Sequence, residues 1–183
     1  MGLDKYVKGA FGKVLSYGEF GIRKISSILS EPDGSLWLGT GNGLFQFVES
    51  KSGEGIILDK YLPVHINSLY RSENNQIYVC SPKGLFKYKE KDFEKLDLGD
   101  NTGIDITSVF EDNKGILWIG TRNNGLIRWP SSQVKKCDLM NGLPDNAIFS
   151  LITDKYGNFW ITCTKGVYKI NYRELCDFFA GNR

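Results

Sequence analysis

The chain has 183 residues, of which 41% are hydrophobic and 24% are charged, a globular composition that excludes a disordered chain. The 23 Lys and Arg residues against 21 Asp and Glu residues leave a formal net charge of +2, so charge offers no case for a nucleic-acid partner. No run reaches the roughly 18 apolar residues that a spanning helix needs, and the first residues lack the pattern of a signal peptide.

The first predicted element is an outer strand over about residues 12–18, and four copies of one unit follow it. The copies cover about residues 25–65, 66–105, 106–147 and 148–170. One aromatic residue recurs in each copy, at spacings of 41, 40 and 42 residues: Trp37, Tyr78, Trp118 and Trp160. A short helix over about residues 172–179 follows the last copy, and Asn171 is in position to cap it.

Each copy has the pattern of short strands joined by tight turns. The first strand carries a recurrent serine, a small residue that we expect at a crowded place near an axis: Ser27, Ser68, Ser108 and Ser150. A second shared position, whose Asp and Ser members can hydrogen-bond turn backbone, holds Glu31, Ser72, Asp112 and Asp154. A Gly or Asn in the turn tolerates positive φ. The aromatic residue then lies in a second strand buried on both faces, and a further Gly leads into a third strand.

A fourth, less regular strand completes three of the copies, with candidates at residues 56–61, 93–98 and 133–137. Four strands in a period of about 40–45 residues are typical of a propeller blade. The predicted fold class is therefore all-β: a β-propeller of about four blades, each a four-stranded antiparallel sheet, in a single domain over residues 1–183. Two arrangements stay open. Either the leading strand completes the last blade of a small closed ring, or the chain is part of a larger propeller.

The side chains that bear reactive groups are few. The four cysteines match no metal-ligand spacing: Cys80, Cys137, Cys163 and Cys176. We therefore expect no metal site and no cofactor, with Cys80 and Cys163 as small buried residues on strands. His65, the only histidine, falls in a connection between repeats, where we expect a rim residue and not a catalytic one. The repeated tryptophans are expected in the core.

The least repeat-like loops supply the candidate ligand-binding residues. The third repeat has one extra residue after its second strand, and a polar pair lies in the connection before the last repeat. Function in propellers tends to lie on such loops. We predict that five residues line one rim and contact a ligand or a neighbouring protein: Arg122, Asn123, Asn124, Asp145 and Asn146. The alternative is that they are ordinary solvated turns.

The third repeat runs ITSVFEDNKGILWIGT from Ile106 to Thr121, and NGLPDNAI from Asn141 to Ile148 precedes the fourth. These segments resemble the two-component regulator propeller repeat, and the resemblance covers about residues 20–170. It implies sensing, because such repeats usually build seven-bladed extracytoplasmic propellers of bacterial membrane receptors. The implied output domains are histidine kinases, hybrid kinases with DNA-binding regulators, or diguanylate cyclases. The implied location is periplasmic or extracytoplasmic.

Three functions are therefore considered. The first is a non-enzymatic sensory module that binds an unknown small-molecule or glycan-type ligand and, within a longer receptor, acts on an output kinase or cyclase domain. The second is a structural repeat domain that pairs blades with another chain, including a homo-oligomer formed through the end blades. The third is a propeller lyase or hydrolase, which the shortage of histidine and of non-repeating acids disfavours.

Overall fold

The computed structural model describes residues 3–15, 21–22, 24–50, 55–99, 103–130 and 135–181. Within them the chain forms 17 strands and one α-helix, and every strand pairs only with its neighbours along the chain. Residues 16–18 of the predicted leading strand and residues 133–134 of the last predicted outer strand lie outside the described residues.

The chain begins with a two-stranded hairpin of β1 (Leu3–Val7) and β2 (Ala10–Leu15). Leu15 is buried against Phe45 and Phe47, so the hairpin packs face-on against the sheet that follows it. Within the described residues β2 pairs with β1 and not with the last sheet. The leading strand therefore does not complete the last blade, which corrects one of the two arrangements expected from the sequence.

Four further sheets follow in chain order, each built from consecutive antiparallel strands. The first contains β3 (Ile25–Ser30), β4 (Leu36–Thr40), β5 (Gly43–Glu49) and β6 (Gly55–Lys60). The second contains β7 (Ser68–Arg71), β8 (Ile77–Ser81), β9 (Gly84–Lys89) and β10 (Asp92–Lys95). The third contains β11 (Ile106–Glu111), β12 (Leu117–Thr121), β13 (Leu126–Trp129) and β14 (Lys135–Cys137). The fourth contains β15 (Ile148–Thr153), β16 (Asn158–Cys163) and β17 (Gly166–Asn171), and helix α1 (Tyr172–Ala180) follows it.

The four sheets pack face to face in chain order, and their first strands, β3, β7, β11 and β15, lie side by side. We call the face of a sheet towards the preceding sheet its front face and the face towards the following sheet its back face. A separate buried cluster fills each of the three junctions between sheets. The predicted fold class of β-propeller blades is confirmed. The described sheets form an open arc and not a closed ring of four.

A ladder of hydrogen bonds joins the first strands across the junctions. In the first three repeats, the residue after the first isoleucine donates to the carbonyl of the next repeat's first isoleucine. Ser26 Oγ donates to the Ile66 carbonyl at 2.5 Å, and Asn67 Nδ2 donates to the Ile106 carbonyl at 2.7 Å. Thr107 Oγ1 donates in the same way to the Ile148 carbonyl. Each donor therefore links its own sheet to a main-chain atom of the next one.

The second strands come close to the following sheet at glycines. A Cβ placed on Gly120 would lie 2.7 Å from Ile148 Cγ2, and one on Gly39 would lie 2.7 Å from Ile66 Cγ2. The recurrent serines lie beside this contact. Ser27 Oγ accepts a hydrogen bond from the Leu69 backbone N–H, and Ser68 Oγ donates to the Thr107 carbonyl. The following sheet therefore contacts the serines of the first two repeats.

The acidic position of the first turn has two roles, of which the sequence predicted one. Asp112 accepts hydrogen bonds from the Lys114 and Ile116 backbone N–H groups, as expected for a turn. Its other oxygen accepts from Trp118 Nε1 at 3.0 Å and from the Tyr172 hydroxyl at 2.7 Å. The same acid–indole pair, six residues apart, recurs in the first and fourth repeats, from Trp37 to Glu31 and from Trp160 to Asp154.

The four aromatic residues share one position in the sheet but not one environment. The side chains of Trp37, Tyr78 and Trp118 are buried, with Trp118 at 0% exposure, whereas Trp160 is 38% exposed. The prediction that all the repeated tryptophans lie in the core is therefore wrong for Trp160. The reason is its place on the back face of the fourth sheet, where no following sheet packs within the described residues.

Helix α1 closes the outer side of the last junction. Asn171 caps it by accepting hydrogen bonds from the Arg173 and Glu174 backbone N–H groups. Leu175 and Phe179 are buried in the cluster around Trp118, so the amphipathic helix covers apolar surface between the third and fourth sheets.

Replacement of Gly120 by Ala should destabilise the fold by about 1–3 kcal/mol, because the new methyl group overlaps Ile148 and a packed core cannot yield freely. Urea unfolding measures the effect. Gly12→Ala is the matched control, since a Cβ there meets no atom closer than 4.0 Å. Equal unfolding midpoints for the two variants would show that the close approach of the sheets is wrong.

Replacement of Asp112 by Asn should destabilise the protein at neutral pH by about 1–3 kcal/mol, since buried donors lose a charged acceptor. Burial opposes the ionisation of Asp112, but hydrogen bonds from Tyr172, Trp118 and the backbone outweigh it and lower its pKa below the usual value. A carboxylate with a lowered pKa stabilises the fold above the unfolded value of about 4, and the benefit disappears as the pH falls through the folded pKa.

The difference in unfolding free energy between wild type and Asp112→Asn should therefore shrink as the pH is lowered from 7 to below about 4. Other acids with lowered pKa values, such as Asp154 at about 2, are common to both proteins and cancel in the difference. A difference that stays constant with pH would contradict the ionised state of Asp112.

Candidate functional site

A polar cavity opens at one end of the first strands. Its volume is about 370 Å³. We call it the inner-strand cavity, and its polar lining residues are Lys24, Ser26, His65, Asn67, Thr107 and Arg122. Ile25 and Phe149 complete the wall. The lining comes from all four sheets or their lead-in loops, so the site exists only because the sheets are stacked in this order.

The repeat itself positions the floor of this cavity. Ser26, Asn67, Thr107 and Phe149 occupy the same place in their repeats, directly after the first isoleucine. Three of them are the donors of the ladder between sheets. Asn67 Nδ2 also donates to Asp105 Oδ1 at 2.7 Å, while Asn67 Oδ1 accepts from Arg122 Nη2 at 3.5 Å. The polar atoms that a ligand would meet are therefore held by main-chain and loop contacts.

The rim carries the charges. Arg122 Nε donates to Asp105 Oδ2 at 2.5 Å, and the arginine side chain remains 45% exposed. Lys24 and His65 are exposed beside it. Arg122 is paired with Asp105, whereas Lys24 makes no ion pair with any residue that the structure describes. The site can therefore bind a polar solute through hydroxyl or acidic groups.

The structure separates the five residues that the sequence proposed. Only Arg122 lines the cavity. Asn146 Oδ1 accepts from the Leu139 backbone N–H, and its carbonyl accepts from the Gly125 N–H. Asp145 accepts from Thr164 Oγ1 and from the Ala147 N–H. These two residues thus hold loops together.

The other two lie in the longer turn of the third repeat. The Asn124 backbone N–H donates to Thr121 Oγ1 at 2.8 Å, which shapes the turn, and Asn123 is exposed there. The extra residue predicted for this turn is present between Thr121 and Leu126.

Sequence reasoning missed Lys24, Ser26, Asn67 and Thr107. A signal for three of them was available, because a polar residue follows the first isoleucine in the first three repeats and Phe149 replaces it in the fourth. On its own, one polar residue on a strand is ordinary solvated surface. It becomes informative only when the repeats are superposed and the first strands are known to converge.

The cysteines take no part in this site. Cys80, Cys137 and Cys163 are buried, and all four cysteines are free thiols. Burial raises the pKa of Cys80 to about 12 and that of Cys137 to about 11, so both are poor nucleophiles at neutral pH. Among the described residues, no group of three His, Cys, Asp or Glu side chains could hold a metal ion.

A second cavity, of about 440 Å³, lies between helix α1 and the connection that precedes the fourth sheet. Leu143, Ile170, Leu175 and Phe178 form much of its wall. Although it is larger, its polar groups are few and come from one connection and one helix. The inner-strand cavity is the stronger candidate, because its polar side chains converge from several repeats.

Two segments of the chain match a known family model. Residues 101–123 and 142–165 match the family described as two component regulator propeller, which confirms the resemblance seen in the sequence. The curated protein "Histidine kinase P4" of Formosa agariphila is 26% identical over 160 residues, covering 77% of this chain and 12% of the kinase.

Solved structures share the fold. The extracellular domain of the hybrid two component system BT4673 from B. thetaiotaomicron aligns with a TM-score of 0.69 and 25% identity, over 82% of this chain and 24% of that one. Virginiamycin B lyase from Staphylococcus aureus aligns with a TM-score of 0.60 and 14% identity, over 91% of this chain and 61% of the lyase. The chain thus spans 12% of the kinase and 24% of the extracellular domain.

In the part of the chain that the structure describes, no helix has the length and apolar character needed to cross a bilayer.

Proposed function

We propose that this chain is a non-enzymatic, ligand-sensing propeller segment of an extracytoplasmic receptor whose output is a kinase or cyclase domain. Support comes from the matched repeats and from the similarity to a histidine kinase and to an extracellular domain of a hybrid two component system. The lyase likeness, at 14% identity, supports only the fold.

The inner-strand cavity is the proposed ligand site, and one observation carries the proposal. Polar side chains from successive repeats, among them Ser26, Asn67 and Thr107, converge on one cavity beside the cations Lys24 and Arg122. Hydroxyl and amide groups suit a hydroxyl-rich small molecule or glycan, and the cations suit an acidic group on it.

The same residues suggest how binding is transmitted. Asn67 and Thr107 each hold the next sheet through a main-chain carbonyl. A ligand that bonds to these side chains interacts with two junctions at once. It therefore favours the arrangement of sheets that best fits it, and the shift in population is passed through the packed junctions to whatever follows.

A catalytic role is not proposed, because the cavity offers little acid–base chemistry. The carboxylate of Asp105 is committed to Asn67 and Arg122, and His65 has no hydrogen bond to an orienting carboxylate among the described residues. Asp112 and Asp154, whose pKa values are lowered, serve the turns at the far end of the strands. This arrangement suits binding better than proton transfer.

Titration calorimetry of the full chain with two panels of oligosaccharides, one neutral and one containing uronic acids, tests the site. Asn67→Ala and Arg122→Ala should each weaken the binding of a positive compound at least about tenfold, since each removes a hydrogen-bonding group from the cavity. The matched control is Lys155→Ala, which removes an exposed cation from a turn at the opposite end of the strands.

Binding that survives both cavity variants would place the ligand elsewhere on the chain. Heats indistinguishable from dilution for every compound in both panels would contradict a glycan-type ligand. Loss of affinity in the Lys155→Ala control would show that general charge, and not the cavity, governs binding.

A second candidate function is a structural repeat domain that pairs its end blades with another chain of the same kind. The specific observation in its favour is the exposed back face of the fourth sheet. Val167 there is 63% exposed, whereas Leu44, Leu85 and Leu126 at the same repeat position are 0% exposed.

A further inference from the structure

We propose that two copies of this chain associate head to tail, with the back face of the fourth sheet of one copy packed on the front face of the first sheet of the other. This inference rests on the second proposed function and names its two surfaces. The three junctions inside the chain show what covers each face.

The back face of the fourth sheet carries exposed apolar side chains at positions that a following sheet covers in the other sheets. Ile152 and Trp160 are cross-strand partners there, with exposures of 61% and 38%, and Val167, 63% exposed, lies diagonally across from Trp160 on β17. In the other sheets the position of Trp160 and the position of Val167 are both buried by the following sheet. An exposed apolar patch of this kind marks an interaction surface.

The front face of the first sheet is open in the complementary place. Ile28 is 50% exposed, whereas Val109 and Leu151, at the same position in the third and fourth sheets, are 4% and 6% exposed. Ile25 is only partly buried, although Ile66, Ile106 and Ile148 are all buried. The hairpin of β1 and β2 covers Phe45 and Phe47, which belong to the third strand of the sheet, β5. The part of the front face that stays open is therefore the part near the first strand, β3.

The numbers of strands at the two ends of the described chain also complement each other. The fourth sheet has three strands where the others have four, within the described residues. In the other copy, the hairpin shares a buried cluster with Phe45 and Phe47 of β5, on the front face of the first sheet. A three-stranded sheet that packs on Ile25 and Ile28 would therefore meet this hairpin at its unpaired edge, β17, where strand addition can occur.

Two positions make this junction weaker than the internal ones. Phe149 stands where Ser26, Asn67 and Thr107 donate to the next sheet, so the ladder bond is missing. Thr162 stands where the first and third sheets have glycine, although Cys80 at this position in the second sheet is fully buried against its neighbour. The contact is accordingly expected to be reversible and to depend on concentration.

Light scattering of the full chain over a wide concentration range tests the inference. The wild type should move from 20.7 kDa to at least twice that mass as concentration rises. Val167→Asp and Ile28→Asp should each raise the dissociation constant at least about tenfold, because an aspartate would have to leave water. Met140→Asp, at a 95% exposed residue of the connection before the fourth sheet, is the matched control.

Mixing the two variants identifies the geometry. Val167→Asp keeps an intact front face and Ile28→Asp keeps an intact back face, so an equimolar mixture should form a complex of two chains and stop there. A wild type that stays at 20.7 kDa would overturn both this inference and the second proposed function. Association that neither variant weakens, or that Ile28→Asp leaves unchanged while Val167→Asp abolishes it, would overturn the head-to-tail contact and leave pairing itself standing.

Discussion

Each sheet of this protein is held to the next by a side chain that reaches across the junction to a main-chain carbonyl. Ser26, Asn67 and Thr107 make this bond in turn, each to the first isoleucine of the following repeat. A buried carbonyl needs a donor, and the first strands can converge only where one is supplied. The glycines at positions 39 and 120 then allow the next isoleucine to approach the second strand closely. Donor, glycine and isoleucine together set the spacing of the arc.

The proposed ligand site is a by-product of the same constraint. Side chains that join the sheets must lie at the converging edges, and the cavity forms at the end of those edges. Their polar atoms are thus presented in a row, one from each of the first three repeats. A fold that needs donors along its axis for cohesion provides a polar surface that a solute can use, and loop residues such as Arg122 and Lys24 add the charge.

Much of the fold could be predicted from the sequence because the repeat is local. The spacing of Trp37, Tyr78, Trp118 and Trp160 defines the second strands, and the Gly and Asn turns define their ends. The exposure of Trp160 could not be predicted, because burial depends on a neighbouring sheet that the local pattern does not specify. Strand β1 lies before the first repeat and shares none of its recurring residues, so the repeat pattern did not predict it.

The candidate site was predicted less well, since irregular loops were taken as the sign of function. Asp145, Asn146 and Asn124 are irregular because their groups fasten one loop to another. Three of the residues that line the proposed site are inside the repeat, at a position whose polarity is ordinary until the strands are seen to converge. Arg122 was the exception, because its loop both departs from the repeat and borders the converging edges.

The half-open environment of Trp160 also gives the molecule an intrinsic optical probe. Its indole donates to Asp154 and lies under the ammonium group of Lys169, while Trp37 and Trp118 are shielded from water. Water around an excited indole shifts its emission to longer wavelength, so any event that dries this sheet face moves the emission spectrum to shorter wavelength without a label. The molecule thus reports the state of its own terminal surface.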